Sequence, residues 1–76
     1  MNETARLLEE MVEIQHAQNM VLFRLTASQL SLLILKSLGY CPPSKLKKAE
    51  EEDRNARDEF VENQQKLLKL HQKLAQ

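Results

Sequence analysis

Apolar side chains recur along the first half of the chain at alternating steps of four and three. The row reads Leu7, Met11, Ile14, Gln18, Val21, Leu25, Ser28, Leu32 and Leu35. That spacing keeps one row on one face of an α-helix, at the a and d positions of a heptad. The second half carries the mirrored order, steps of three and then four, through Leu46, Ala49, Asp53, Ala56, Phe60, Asn63, Leu67, Leu70 and Leu74. Between the rows stands "LGYCPPS", residues 38–44, which holds the only glycine, both prolines and the only cysteine. The pattern predicts one domain, residues 1–76. Helix 1 runs over about 3–38, a turn over 39–43 and helix 2 over about 44–75.

A fold at Cys41 sets the two rows face to face. Leu7 then meets Leu74, Met11 meets Leu70, Ile14 meets Leu67 and Gln18 meets Asn63. Val21 meets Phe60, Leu25 meets Ala56, Ser28 meets Asp53, Leu32 meets Ala49 and Leu35 meets Leu46. Each layer pairs an a position with a d position, as antiparallel packing requires. The polar members also face each other, which favours one register, because a polar group buried against hydrocarbon costs about 1–3 kcal/mol. The expected fold class is all-α: a two-helix antiparallel coiled-coil hairpin.

Local signals agree with these boundaries. Asn2 or Thr4 suits the start of helix 1, and Glu3, Glu9 and Glu10 suit the positive end of its dipole. Lys36 suits the last turn, and Gly39 is placed for the left-handed residue that closes a helix. Pro42 and Pro43 have no N–H to continue it. Ser44 is the expected cap of helix 2, whose last turns carry Lys66, Lys69 and Lys73. Lys45, Lys47 and Lys48 stand at its unfavourable end, with relief expected from Glu50–Arg54 and Asp53–Arg57 at i,i+4.

One row between two helices cannot enclose a core, and further apolar residues remain outside it. Leu8, Val12, Leu22 and Leu33 form a stripe at b and e positions of helix 1, while Val61, Leu68 and Ala75 fall at b in helix 2. In an antiparallel pair the e edges share a side, so the stripes join into one flank. Leu30, Leu33 and Ile34 add apolar surface near the turn, where the facing "KLKKAEEED" is too polar to cover them. The expected partner-binding residues are Leu8, Val12, Leu22, Leu30, Leu33, Ile34, Val61 and Leu68. A continuous apolar flank on a small chain implies a partner. A second copy, giving a dimer and a four-helix bundle, is the simplest; a heterologous protein partner is the other.

Composition narrows the function. Eleven basic and eleven acidic side chains cancel, so no global field draws the chain to nucleic acid or a membrane, and neither is expected as a partner. Aromatic residues are 4%, and the abundant Leu, Glu, Lys, Gln and Ala are helix formers. A lone cysteine forms no internal disulfide. A solvent-reachable turn thiol at Cys41 fits a reducing, cytoplasmic setting. The N-terminus lacks a signal-peptide charge pattern. The run "LSLLILKSL" is too short to span a bilayer. Asn2-Glu3-Thr4 matches a glycosylation sequon that a cytoplasmic chain leaves unused.

Catalytic chemistry is sparse. Glu13 and His16 have the i,i+3 spacing of di-iron carboxylate bundles. They fall at outward positions, however, and no second such motif accompanies them. His71 also reads as surface. No glycine-rich phosphate loop or nucleophile elbow is present, and neither histidine lies near Cys41. The sequence therefore points away from an enzyme and implies no cofactor or metal. Hairpins of this outline resemble small helical-hairpin chaperones of bacterial secretion systems and small phage-encoded inhibitors. The resemblance implies a non-enzymatic protein–protein interaction module that self-associates and binds, sequesters or inhibits a partner, as a chaperone or adaptor does. A ligand- or metal-binding bundle with a pocket at the oligomer interface is the alternative. A nucleic-acid-associated regulator is a third reading, disfavoured by the neutral charge.

Overall fold

The computed structural model describes residues 2–39 and 42–76. Two α-helices account for nearly all of them, α1 (Glu3–Ser37) and α2 (Pro43–Ala75), folded against each other as a hairpin. The rod is 57 Å long and 15 × 14 Å across. The chain therefore has one helix–helix interface, and both helices keep most of their circumference in solvent.

Every helical residue that is not exposed belongs to the two rows. In α1 these are Leu7, Met11, Ile14, Gln18, Val21, Leu25, Ser28, Leu32 and Leu35. In α2 they are Leu46, Ala49, Asp53, Ala56, Phe60, Asn63, Leu67, Leu70 and Leu74. Among the apolar members burial is deepest at Leu7, Val21, Ala56, Leu67 and Leu70. The remainder, including Phe60, are half-buried or are the polar members of the rows. Leu7 and Leu74 line one shallow depression at the open end. Arg24 Nη1 pairs with Glu59 Oε2 across the helices at 2.6 Å. Both side chains are about half exposed, so this bridge contributes only about 0–1 kcal/mol.

The termini of the helices show why they begin and end where they do. Asn2 holds extended backbone, and its Oδ1 accepts from the Ala5 N–H at 2.8 Å, which satisfies one free donor of the first turn. At the other end the Leu38 N–H donates to the Ile34 carbonyl, and Gly39 follows with φ +71°. That left-handed conformation is the one glycine adopts without a Cβ penalty.

The start of α2 differs from the expectation of a Ser44 cap. The helix begins one residue earlier, at Pro43, and the cap position is Pro42, with no side-chain cap bond. Proline at the first helical position loses nothing, since its missing N–H would be unpaired there anyway. The Pro42 carbonyl instead accepts from Lys45 N (3.0 Å) and Leu46 N (3.2 Å). The predicted solvent-reachable thiol of Cys41 lies outside the described residues.

The polar rows also depart from simple facing pairs. Gln18 does not bond Asn63. Its Nε2 donates to the Phe60 carbonyl oxygen at 2.9 Å and to Gln64 Oε1 at 3.1 Å. The long side chain bypasses its opposite number and reaches a backbone carbonyl one turn before it and the side chain of the residue after it. Ser28 and Asp53 are both buried, yet Ser28 Oγ and Asp53 Oδ1 have no hydrogen-bond partner. Asp53 turns its other oxygen to Arg57 Nε, 2.7 Å away on its own helix. The companion pair expected at Glu50–Arg54 is not among the ion pairs of the described residues.

Candidate interaction surface

The eight residues expected to bind a partner all lie on the outside of the hairpin. Leu8, Val12, Leu22, Leu30, Leu33, Ile34, Val61 and Leu68 are between 49% and 69% exposed. The structure does not gather them into one compact patch. Helical geometry sorts them into two rows, because residues three or four apart share a face and the face turns by about 100° per residue.

The first row borders the helix–helix interface. It comprises Leu8, Val12, Leu22 and Leu33 on α1 with Val61 and Leu68 on α2. Antiparallel pairing puts Leu68 near the level of Val12 and Val61 near the level of Leu22. The Arg24–Glu59 bridge marks the opposite flank. The flank of the row therefore carries Arg57, paired with Asp53, as well as its apolar side chains, while the other flank carries the interhelical ion pair.

The second row runs along the back of α1, with Phe23 and Ala27 at the edge of a depression shared with α2. It contains Leu30 and Ile34, and it extends further than the sequence reading recognised. Met20, Phe23 and Leu38 are also large and exposed, Phe23 at 73%. With Ala27 they give the series 20, 23, 27, 30, 34, 38, at steps of 3, 4, 3, 4 and 4. This is the same periodic signal that located the interface, shifted to the other side of the helix. It was hidden by the small side chain of Ala27 and by the assignment of nearby leucines to the first row.

The outward faces of α1 explain a further property. By length and composition α1 is apolar enough to cross a membrane, and only 11% of its most apolar 18-residue stretch is buried inside the protein. The run LSLLILKSL, residues 30–38, is the most apolar part of α1, and Met20 through Phe23 with Leu25 extend it toward the N-terminus, where Arg24 and Gln29 are the main interruptions. Length and composition of this kind are shared by membrane helices, core helices and signal sequences.

The remaining candidates stay apart. Glu13 and His16 are exposed on α1, and His71 is exposed on α2. No group of three or more metal-ligating side chains comes together among the described residues. A depression near the turn-proximal half is lined by Phe23, Arg24, Ala27, Ser28, Ser31, Glu52 and Asn55. It is an open cleft along the ion-paired side and encloses no ligand-sized chamber. Comparison with protein-family models, with curated proteins and with solved structures finds no match to this chain.

Proposed function

We propose that the protein is a non-enzymatic interaction module, an antiparallel coiled-coil hairpin that pairs with a second copy of itself into a four-helix bundle. In that form it binds or sequesters a protein partner. The observation that carries the reading is the row Leu8, Val12, Leu22, Leu33, Val61 and Leu68, apolar on both helices and open to solvent along one flank.

Surface area supports self-association in particular. The chain exposes 6144 Å², whereas a compact monomer of 8.9 kDa exposes about 4,800 Å². The difference of about 1,300 Å² lies within what one protomer buries in an obligate dimer. The rows at four-three spacing support coiled-coil geometry within each hairpin. Two hairpins joined flank to flank would place Val12 and Leu68 of each copy in a common centre.

Paired substitutions test this. Val12→Glu with Leu68→Glu leaves the intramolecular rows untouched and sets two charges in the shared flank, where association would strip their water without providing partners. Sedimentation equilibrium should show the wild type as a dimer and the double variant at monomer mass, with lowered thermal stability. An unchanged mass and unchanged melting for the variant would show that this flank stays in solvent.

A further inference from the structure

We propose that the turn-proximal half of α1 docks on an anionic lipid surface, with the back of the helix facing the bilayer. The proposal departs from the sequence expectation of no membrane partner. It does not depend on self-association, which uses the other row.

Two features coincide at this place. The first is the apolar back of α1, from Met20 through Phe23, Ala27, Leu30 and Ile34 to Leu38, all exposed. It extends about 27 Å at the rise of an α-helix. The second is charge. No acidic residue occurs between Glu13 and Glu50. That interval carries Arg24, Lys36, Lys45, Lys47 and Lys48, so the neutral chain is divided into a basic segment of five positive charges and remaining parts that balance it. The apolar row and the four lysines meet at the turn end of the rod. The nearest acids, Glu50, Glu51 and Glu52, follow Lys45, Lys47 and Lys48 about one turn further along α2, and Glu52 borders one depression with Phe23 and Ala27.

An apolar helical face collared by lysines is the pattern of helices that lie in a membrane interface. The leucines enter the acyl boundary, and the lysine stems extend so that their ammonium groups reach anionic headgroups. With α1 down and the turn end lowest, Lys36 and the first-turn lysines of α2 come nearest the headgroups, and the acids begin about one turn further up α2. The N-terminal limit of the row is consistent with this tilt, because Glu9, Glu13 and His16 occupy the same side of α1 one to three turns earlier.

The chemistry favours lipid over a second copy at this row. A second copy would have to offer either the same lysine-flanked row, setting like charges together, or the outer face of α2. From Lys45 to Glu59 that face has no large exposed apolar side chain. Docking on the surface also keeps the hairpin intact. Burying α1 across a bilayer would pull it from α2, breaking the Arg24–Glu59 bridge and stranding Arg24 in hydrocarbon.

Co-sedimentation of the full chain with vesicles tests the proposal, using phosphatidylcholine alone and phosphatidylcholine mixed with phosphatidylserine. The expected result is binding to the mixed vesicles at low salt, weakened by high salt, with little binding to phosphatidylcholine alone. Lys45→Gln, Lys47→Gln and Lys48→Gln together should weaken binding roughly a hundredfold. Leu30→Glu with Ile34→Glu should abolish it while circular dichroism stays helical, since both sites are exposed. Val12→Glu with Leu68→Glu should retain vesicle binding whatever its mass in solution. Absence of binding to the mixed vesicles at low salt would overturn the proposal, as would equal binding to both compositions. So would a Leu30→Glu, Ile34→Glu variant that loses its oligomer yet still binds vesicles, because the row would then belong to a protein contact.

Discussion

At the scale of single residues, the polar members of the buried rows are the least satisfied part of the protein. Ser28 Oγ is buried without a partner, beside an Asp53 whose Oδ1 is likewise unpaired. Leaving a buried polar atom unpaired costs about 1–3 kcal/mol. Ser28→Ala removes one such atom and little volume, so it should raise the unfolding free energy by about 1 kcal/mol, read from the urea midpoint at unchanged slope. A lower midpoint would mean that the hydroxyl makes a stabilising bond. Leu70→Ala should act in the opposite direction. Leu70 is buried between the helices, and its truncation removes contact and leaves a void, a loss of about 2–5 kcal/mol. A two-helix interface collapses more easily than a closed core, which places the expectation at the low end of that range. The polar pair at Ser28 and Asp53 thus contributes more to choosing one register than to stability. A slip of one heptad would set each of these groups against an apolar side chain, Ser28 against Leu46 or Phe60 and Asp53 against Val21 or Leu35.

At the scale of elements, both helices and their buried faces were legible from spacing alone, because a lone interface leaves the heptad rows nothing to compete with. All eighteen row positions are the non-exposed ones among the residues of α1 and α2. Legibility failed where side-chain reach or chain termini decide the outcome. The spacing put Gln18 opposite Asn63, but a long amide bonds whichever acceptors its length allows, here Phe60 O and Gln64 Oε1. Ser44 looked like a cap, yet a proline at the first helical position moved the helix start back by one residue. The back of α1 was read only near the turn, at Leu30 and Ile34; Met20, Phe23 and Leu38 continue it with the same period but were not joined to it. The turn gives a prediction of its own. Gly39 has φ +71° and open space where a Cβ would stand, so any penalty at this site comes from the backbone rather than from a clash. Gly39→Ala should destabilise the hairpin by about 1–2 kcal/mol, and Gly39→Asn by less, since asparagine visits the left-handed region more readily. Equal losses for the two in chemical denaturation would point to a side-chain contact instead.

At the scale of the whole molecule, the question is whether each chain closes on itself. A hairpin with one interface can open at its turn and exchange α2 with a second copy, reproducing every interhelical contact between chains instead of within them. The closed form keeps Leu7 and Leu74 together at the open end, where both border the same depression. A single extended helix would separate them by about 100 Å. Leu7→Cys with Leu74→Cys, in a Cys41→Ser background, distinguishes these forms. In the closed hairpin, oxidation at low protein concentration should give a disulfide within one chain, and denaturing electrophoresis should show a compact monomer band that reverts on reduction. An exchanged pair oxidises just as readily but yields a covalent dimer, and the yield of that dimer does not fall on dilution. Failure to oxidise, with efficient bridging from Leu7→Cys to a site one turn away on α2, would move the register. The turn favours closure. Gly39 already holds the left-handed conformation that reverses the chain, and Pro42 and Pro43 both resist the continuous helix that exchange would need. The covalent monomer is therefore the expected product, and a flank-to-flank dimer of such hairpins would form without either chain opening.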